Sequence, residues 1–194
     1  AGVDKTPVSP ESQRKSISSE TTLGRDTRDR DKLEKVLLQQ SQVVARSLRK
    51  HAFRARTITL KIKRADFKQF TRNKTITTPT QSSETIYKAA LGLFERFPLN
   101  QKVRLIGVGA SGLIGDAVPV QMDMFAAPAD PGEKTWEKVD HTLDRISRKF
   151  GSNAVHRASL ARQPEDGKQR TEPQNDRRRS ARGQSHRSPV RSRE

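Results

Sequence analysis

The side chains best placed to do chemistry are basic and hydroxylic ones on strand-like runs. In RTITLKIKR (56–64), Thr57, Thr59, Lys61 and Lys63 alternate with Ile58, Leu60 and Ile62. A period of two puts the apolar set on one face of a half-buried strand and the Thr/Lys set on the other. Arg72 and Lys74, interleaved with Thr71 and Thr75, recur in the next strand-like run, and Arg104 in a later one. Lys and Arg supply charge to phosphates, and Thr hydroxyls and backbone N–H groups add directional bonds. Such contacts hold a nucleic-acid backbone without reading its sequence. For each residue alone, a solvated side chain is the alternative.

A second constellation is QMDMF (121–125), in which Met122, Met124 and Phe125 alternate with or follow Gln121 and Asp123. Pro119, Pro128, Pro131 and Gly132 surround it, so the segment reads as a loop. Apolar side chains on a loop invite a partner to cover them. Enzymatic chemistry does not assemble. His51, His141, His156 and His186 lack metal-ligand spacing, and the chain has no cysteine. Ser111 in GASGL lacks the second glycine of a nucleophile elbow, because Leu113 stands there, and a strand-ending turn is the better reading. GVGASG has no following Lys and opens no helical pattern, so it is weak as a phosphate loop. No catalytic or metal-binding residue is assigned.

The elements that must position these residues follow from periodicity. KSISSETTLG is a short β-type run. Asp29 and Asp31 offer helix N-caps, and Asp31 with Glu34 has the form of a capping box. Leu33, Val36, Leu37, Val44 and Leu48 then recur at helical spacing. After RTITLKIKR, Asp66 marks a turn and DFKQFTRNKTI reads as a second strand of a hairpin. PTQSSE supplies a break and an N-cap, with Glu84 in the first turn of a helix carrying Ile86, Ala89 or Ala90, Leu93 and Phe97 on one face. KVRLIGVGASGL closes with a fourth strand. The predicted class is α+β, a ferredoxin-like β-α-β-β-α-β unit with two helices on one face of a four-stranded sheet. The other face is then open, and it is the basic one if Lys61 and Lys63 lie on it.

The predicted organisation is a linker at 1–14, the β-α-β-β-α-β domain at 15–113, a loop at 114–132, a short amphipathic helix at 133–151 and a disordered basic tail at 152–194. In the short helix Trp136, Val139, Leu143, Ile146 and Phe150 form one stripe, and Gly151 is its stop. One stripe cannot make a core, so the helix must dock, either on the domain or on a partner. Mean hydropathy is −0.88 and 31% of residues are hydrophobic, low enough to expect disorder in part of the chain. The net charge is +17, and residues 15–112 hold 21 Lys or Arg against 8 Asp or Glu, so the excess sits mainly on the periodic segment. A folded basic domain points to a polyanion partner. No apolar run reaches the roughly 18 residues of a membrane span. No signal peptide is visible, and the chain opens on Ala1 rather than Met, as a fragment or processed form would. A cytoplasmic, nucleoid-associated monomer with no membrane contact is expected.

KSISSETTLGRDTRDRDKLEKVLL, VARSLRKHAFRARTITLKIKRADFKQFTRNKTI and VRLIGVGASGL resemble the little-finger domain of Y-family DNA polymerases, in the DNA polymerase IV branch, over about residues 14–113 and more loosely to 160. The resemblance implies a domain that lays its sheet in the DNA major groove and holds primer-template phosphates through Lys61, Lys63, Thr71, Arg72, Lys74, Thr75 and Arg104. Some members carry two basic residues in a row in the fourth strand. Here Leu105 follows Arg104, so one contact is lost or Leu105 packs inward. QMDMF is similar to the Q-L-S/D-L-F peptide with which bacterial polymerases bind the sliding clamp, which implies clamp contacts by Gln121, Met122, Asp123, Met124 and Phe125. The family's catalytic palm, where carboxylates hold two Mg²⁺ ions, is absent from this chain. No cofactor is therefore expected here, Mg²⁺ would belong to the parent enzyme, and the chain alone should not synthesise DNA. The implied function is the DNA- and clamp-binding C-terminal part of an error-prone translesion polymerase. Two alternatives stand beside it: the tail of a catalytically inactive Y-family relative serving as a clamp-bound hub, and an independent RNA-binding module. The second would stack bases on aromatics, and Phe67 and Phe70, three apart, fall on opposite faces of one strand.

Overall fold

The computed structural model describes residues 14–118, 131–151, 154–155 and 157–160. The elements are β1 (Ser16–Thr27), α1 (Arg30–Lys50), β2 (Phe53–Arg64), β3 (Gln69–Thr80), α2 (Ser83–Glu95), β4 (Val103–Gly115), α3 (Pro131–Phe150) and a 3-10 turn at Ala158–Leu160. The class is α+β, and β1 to β4 follow the expected β-α-β-β-α-β order. The sheet order is β1-β4-β2-β3, with every neighbouring pair antiparallel. Both βαβ units are thus split: β4 lies between β1 and β2, and β2 lies between β4 and β3. Segment 121–125 and nearly all of the basic tail lie outside the described residues. Among the described residues no helix is long and apolar enough to cross a membrane.

The core is the one the alternation requires. Ile58, Leu60 and Ile62 of β2 meet Ile106, Val108 and Ala110 of β4, and α1 (Leu33, Leu37, Val44, Leu48) and α2 (Ile86, Ala90, Phe94) close over them. Each of these side chains is almost wholly removed from water, and a buried Leu, Ile or Phe is worth about 1.5–3 kcal/mol by transfer. Gln40 and Ser41 of α1 are also buried. Gln40 takes a hydrogen bond from the Ser19 hydroxyl and donates to Thr21 Oγ1 at 2.7 Å. Ser41 donates to the Leu37 carbonyl at 2.8 Å. These bonds let β1 carry hydroxyls toward α1 without an unsatisfied group.

Three local expectations change. The N-cap of α1 is Asp29, whose carboxylate accepts from the Lys32 N–H at 3.2 Å. Strand β1 runs on to Thr27 and the helix begins at Arg30, so Asp31 falls inside the first turn and the Asp31–Glu34 capping box does not form. Ser82 is the N-cap of α2 by position, yet its side chain makes no cap bond. Asp140 of α3 supplies that function instead, accepting from the Ser83 N–H and Oγ–H, both at 2.7 Å. A carboxylate there meets orphan N–H groups and the positive end of the helix dipole. Ser111 lies within β4, which continues to Gly115, and is not a strand-ending turn.

Helix α3 docks on the helical layer mainly through charge. Arg49 of α1, its side chain 6% exposed, contacts Asp140 at 3.1 Å and Asp144 at 2.6 Å and donates to the Gln81 carbonyl at 2.9 Å. Arg54 bridges Asp116 (2.6 Å) and Glu137 (2.8 Å). Partial burial opposes the Arg54 charge, but the hydrogen bonds and charges of Asp116 and Glu137 outweigh it and raise its pKa above the ordinary guanidinium value. The apolar stripe is only partly covered: Trp136, Leu143 and Ile146 are half-buried, while Val139 and Phe150 stay exposed. Gly151, at φ +91°, ends the helix in the left-handed conformation expected of a C-terminal stop.

Candidate nucleic-acid interface

Cross-strand partners in an antiparallel sheet point their side chains to the same face. That rule, applied to the register, sorts the candidate residues. Lys61 faces Thr71 on β3 and Gly107 on β4, and Lys63 faces Gln69 and Leu105. Thr57 and Thr75 are partners, with their hydroxyls 3.2 Å apart. On the far side Gly107 faces Glu20 and Gly109 faces Ser18. This face, opposite the helices, is therefore built from Lys61, Lys63, Thr71 and Thr75, with Thr57, Thr59, Gln69, Asn73, Ser16, Ser18 and Ser111 among them.

Its floor is low because β4 contributes glycines in the middle of the sheet. A Cβ at Gly107 would sit 2.6 Å from Glu20 Cβ and 3.0 Å from the Ser19 carbonyl oxygen, so only glycine fits that close approach. At Gly109 the nearest atoms would be 3.6 Å away, on Ser18 and Thr59. The result is a flat surface of hydroxyls, amides and a few cations.

Arg104 joins this face through a bulge. Lys63 pairs with Leu105, but Arg64 pairs with Val103, which leaves Arg104 as the extra residue on β4. Its guanidinium stands 3.8 Å from Asp26 and 4.9 Å from the centre of the Phe67 ring. Leu105 pairs with Lys63 and Thr22, so it lies half-buried on the open face and does not pack into the core. Lys61 is held by an acid of the same face, with Nζ 2.7 Å from Glu20 Oε2.

Arg72 and Lys74 do not share this face. They pair with Leu60 and Ile58, whose side chains enter the core, so they project from the helix side of β3. Both remain exposed because β3 is the outer strand of the sheet. The expectation that all seven residues line one surface is corrected for these two. The period of two sends Thr71, Asn73 and Thr75 one way and Arg72 and Lys74 the other, a signal already present in TRNKT.

The two phenylalanines also separate. Phe70 is half-buried and meets Phe97 edge to face, with ring centres 5.5 Å apart. Phe67 lies not in a strand but in the β2–β3 turn, at φ +63°, and is 59% exposed. Sequence alternation missed it because a turn has no period. Among the described residues no group of His, Asp and Glu is gathered as a metal site.

The impB/mucB/samB family C-terminal domain matches residues 14–124. The DNA polymerase IV of Alkaliphilus oremlandii is 40% identical over 169 residues, which cover 82% of this chain and 42% of the relative. That of Dehalococcoides mccartyi strain CBDB1 is 36% identical over 156 residues, covering 79% and 38%. The chain thus spans about two fifths of the length of these curated relatives. A solved complex of a beta-clamp processivity factor with the little finger domain of PolIV aligns at TM-score 0.44 and 18% identity, covering 59% of this chain and 99% of that one, a likeness too slight to argue from. One family model accounts for more than half of the sequence, and the chain therefore belongs to the impB/mucB/samB family and carries its C-terminal domain.

Proposed function

We propose that this chain is the DNA-holding and clamp-tethering C-terminal part of a lesion-bypass DNA polymerase, and that its open sheet face is the DNA surface. The observation that carries the reading is the face itself: Lys61, Lys63 and Arg104 stand around a glycine floor, with Thr57, Thr71 and Thr75 between them. Cations and hydroxyls on a flat surface suit phosphates rather than base edges, so binding is indifferent to sequence. Residues 121–125 are the clamp peptide in this reading, supported by their Q-M-D-M-F form. Arg72 and Lys74, on the other side of the sheet edge, act only through long-range attraction.

Anisotropy titrations with a blunt DNA duplex test the surface. Lys63→Glu with Arg104→Glu should weaken binding at least tenfold and flatten the dependence on salt, since each neutralised phosphate contributes about −0.9 to the log–log slope. Arg72→Glu with Lys74→Glu should cost clearly less. Equal losses from the two pairs would move the interface off the open face. For the tether, Gln121→Ala with Phe125→Ala should abolish capture by a bacterial sliding clamp, and undiminished capture would remove that part of the reading. The chain alone should give no primer extension.

A further inference from the structure

Among the described residues, Phe67 is a large, exposed aromatic at the border of the open face. The residue is 59% exposed and its backbone is left-handed, at φ +63°. Asn or Gly would hold that conformation at lower cost. The turn around it is fixed. Phe67 N–H donates to the Arg64 carbonyl at 3.0 Å, Arg64 N–H to the Lys68 carbonyl at 2.9 Å, and Lys68 N–H to the Asp66 carboxylate at 3.1 Å. The Ala65 N–H also ties the turn to the Lys102 carbonyl at 2.9 Å, at the start of β4. The ring is thus presented on a rigid mount, not on a loose loop. Two cations of the open face converge on it, Lys63 Nζ at 5.0 Å and Arg104 Cζ at 4.9 Å from its centre.

An exposed aromatic ring with two cations lying over it matches one chemical unit: a nucleobase that takes the ring's face while the cations move to the phosphates on either side of it. Resting on the DNA-binding reading above, we infer that Phe67 is a stacking site for an unpaired nucleobase at the border of the duplex, with Lys63 and Arg104 on its phosphates. A base inside a duplex has both faces covered by its neighbours and offers an aromatic only its edge. A single-stranded base offers its face, and stacking on aromatic side chains is how unpaired strands are held. The site thus extends the duplex surface by one step onto single strand, and the ring loses its exposure when that base arrives.

The test uses the 194-residue chain and three probes: a blunt duplex, the same duplex with a short 5′ overhang, and that overhang made abasic. Wild type should bind the overhang at least about fivefold more tightly than its abasic counterpart, the effect of one stacked base. Phe67→Ala should erase that preference, leave blunt-duplex affinity within about twofold and keep the salt slope, because no phosphate contact is removed. Phe67→Tyr should retain the preference. A wild type that does not distinguish the abasic overhang overturns the inference. So does a Phe67→Ala loss of equal size on the blunt duplex, which would make Phe67 a groove or backbone contact. Failure of wild type to bind the blunt duplex would instead strike the DNA-surface reading, and the base preference could still be read on single strands.

Discussion

At the scale of single residues, Gly107 and Gly109 differ by about 1 Å of clearance, and that difference decides what each tolerates. A methyl group at 107 would lie 2.6 Å from the Glu20 Cβ and 3.0 Å from a backbone oxygen. Neither neighbour can retreat without separating β1 from β4. Gly107→Ala should therefore destabilise the fold by about 1–3 kcal/mol, the usual cost of overpacking. At 109 the nearest atoms stand 3.6 Å away, an ordinary contact. Gly109→Ala should be neutral or slightly stabilising, because glycine in a strand gives up backbone entropy for no packing. Urea denaturation of both variants checks the pair, and equal midpoints would show that the β1–β4 spacing does not depend on Gly107.

At the scale of elements, α3 is fastened by one acid more than by its apolar stripe. Asp140 is 3% exposed, caps α2 through Ser83 and pairs with Arg49. Asp140→Ala would leave the Ser83 N–H and part of the buried Arg49 guanidinium unmatched, and breaking a buried pair on one side costs several kcal/mol. α3 buries little apolar surface in compensation, so the loss should appear as undocking of the helix before global unfolding. Trp136 is the only tryptophan and lies half-buried in α3 beneath the Arg157 guanidinium, 4.9 Å from the indole ring. Asp140→Ala should accordingly shift its emission to the red and speed amide exchange in 131–150. An unchanged spectrum with unchanged exchange would mean that Asp144 and Glu137 hold the helix without it.

At the scale of the whole molecule, charge is divided between two surfaces. Asp140, Asp144 and Glu137 of α3 pair with Arg46 and Arg49 of α1 and with Arg54 of β2, while Lys63 and Arg104 remain on the open face. The two jobs should therefore separate under salt. Buried pairs are screened weakly and phosphate contacts strongly. Raising salt from 50 to 200 mM should lower duplex affinity by at least tenfold while the Trp136 emission stays fixed. Asp140→Ala should leave blunt-duplex affinity within about twofold. A loss of DNA binding on undocking would show that α3 supports the sheet from behind.

Much of this protein was legible in the chain because the relevant signals are local. Alternation in RTITLKIKR placed Ile58, Leu60 and Ile62 in the core and Lys61 and Lys63 outside, and the helical spacing of Leu33, Leu37, Val44 and Leu48 placed α1 on the same core. Backbone geometry alone fixes those periods, so a window of ten to twenty residues contains them. What the tertiary structure decided is non-local. It set β4 between β1 and β2, opened the bulge that turns Arg104 onto the open face, and brought Asp140 across 57 residues to cap a helix whose own Ser82 does not. Each of these depends on which distant groups come to lie together when the core closes. No short stretch of sequence carries that information, because the free energy that selects it is shared by the whole fold.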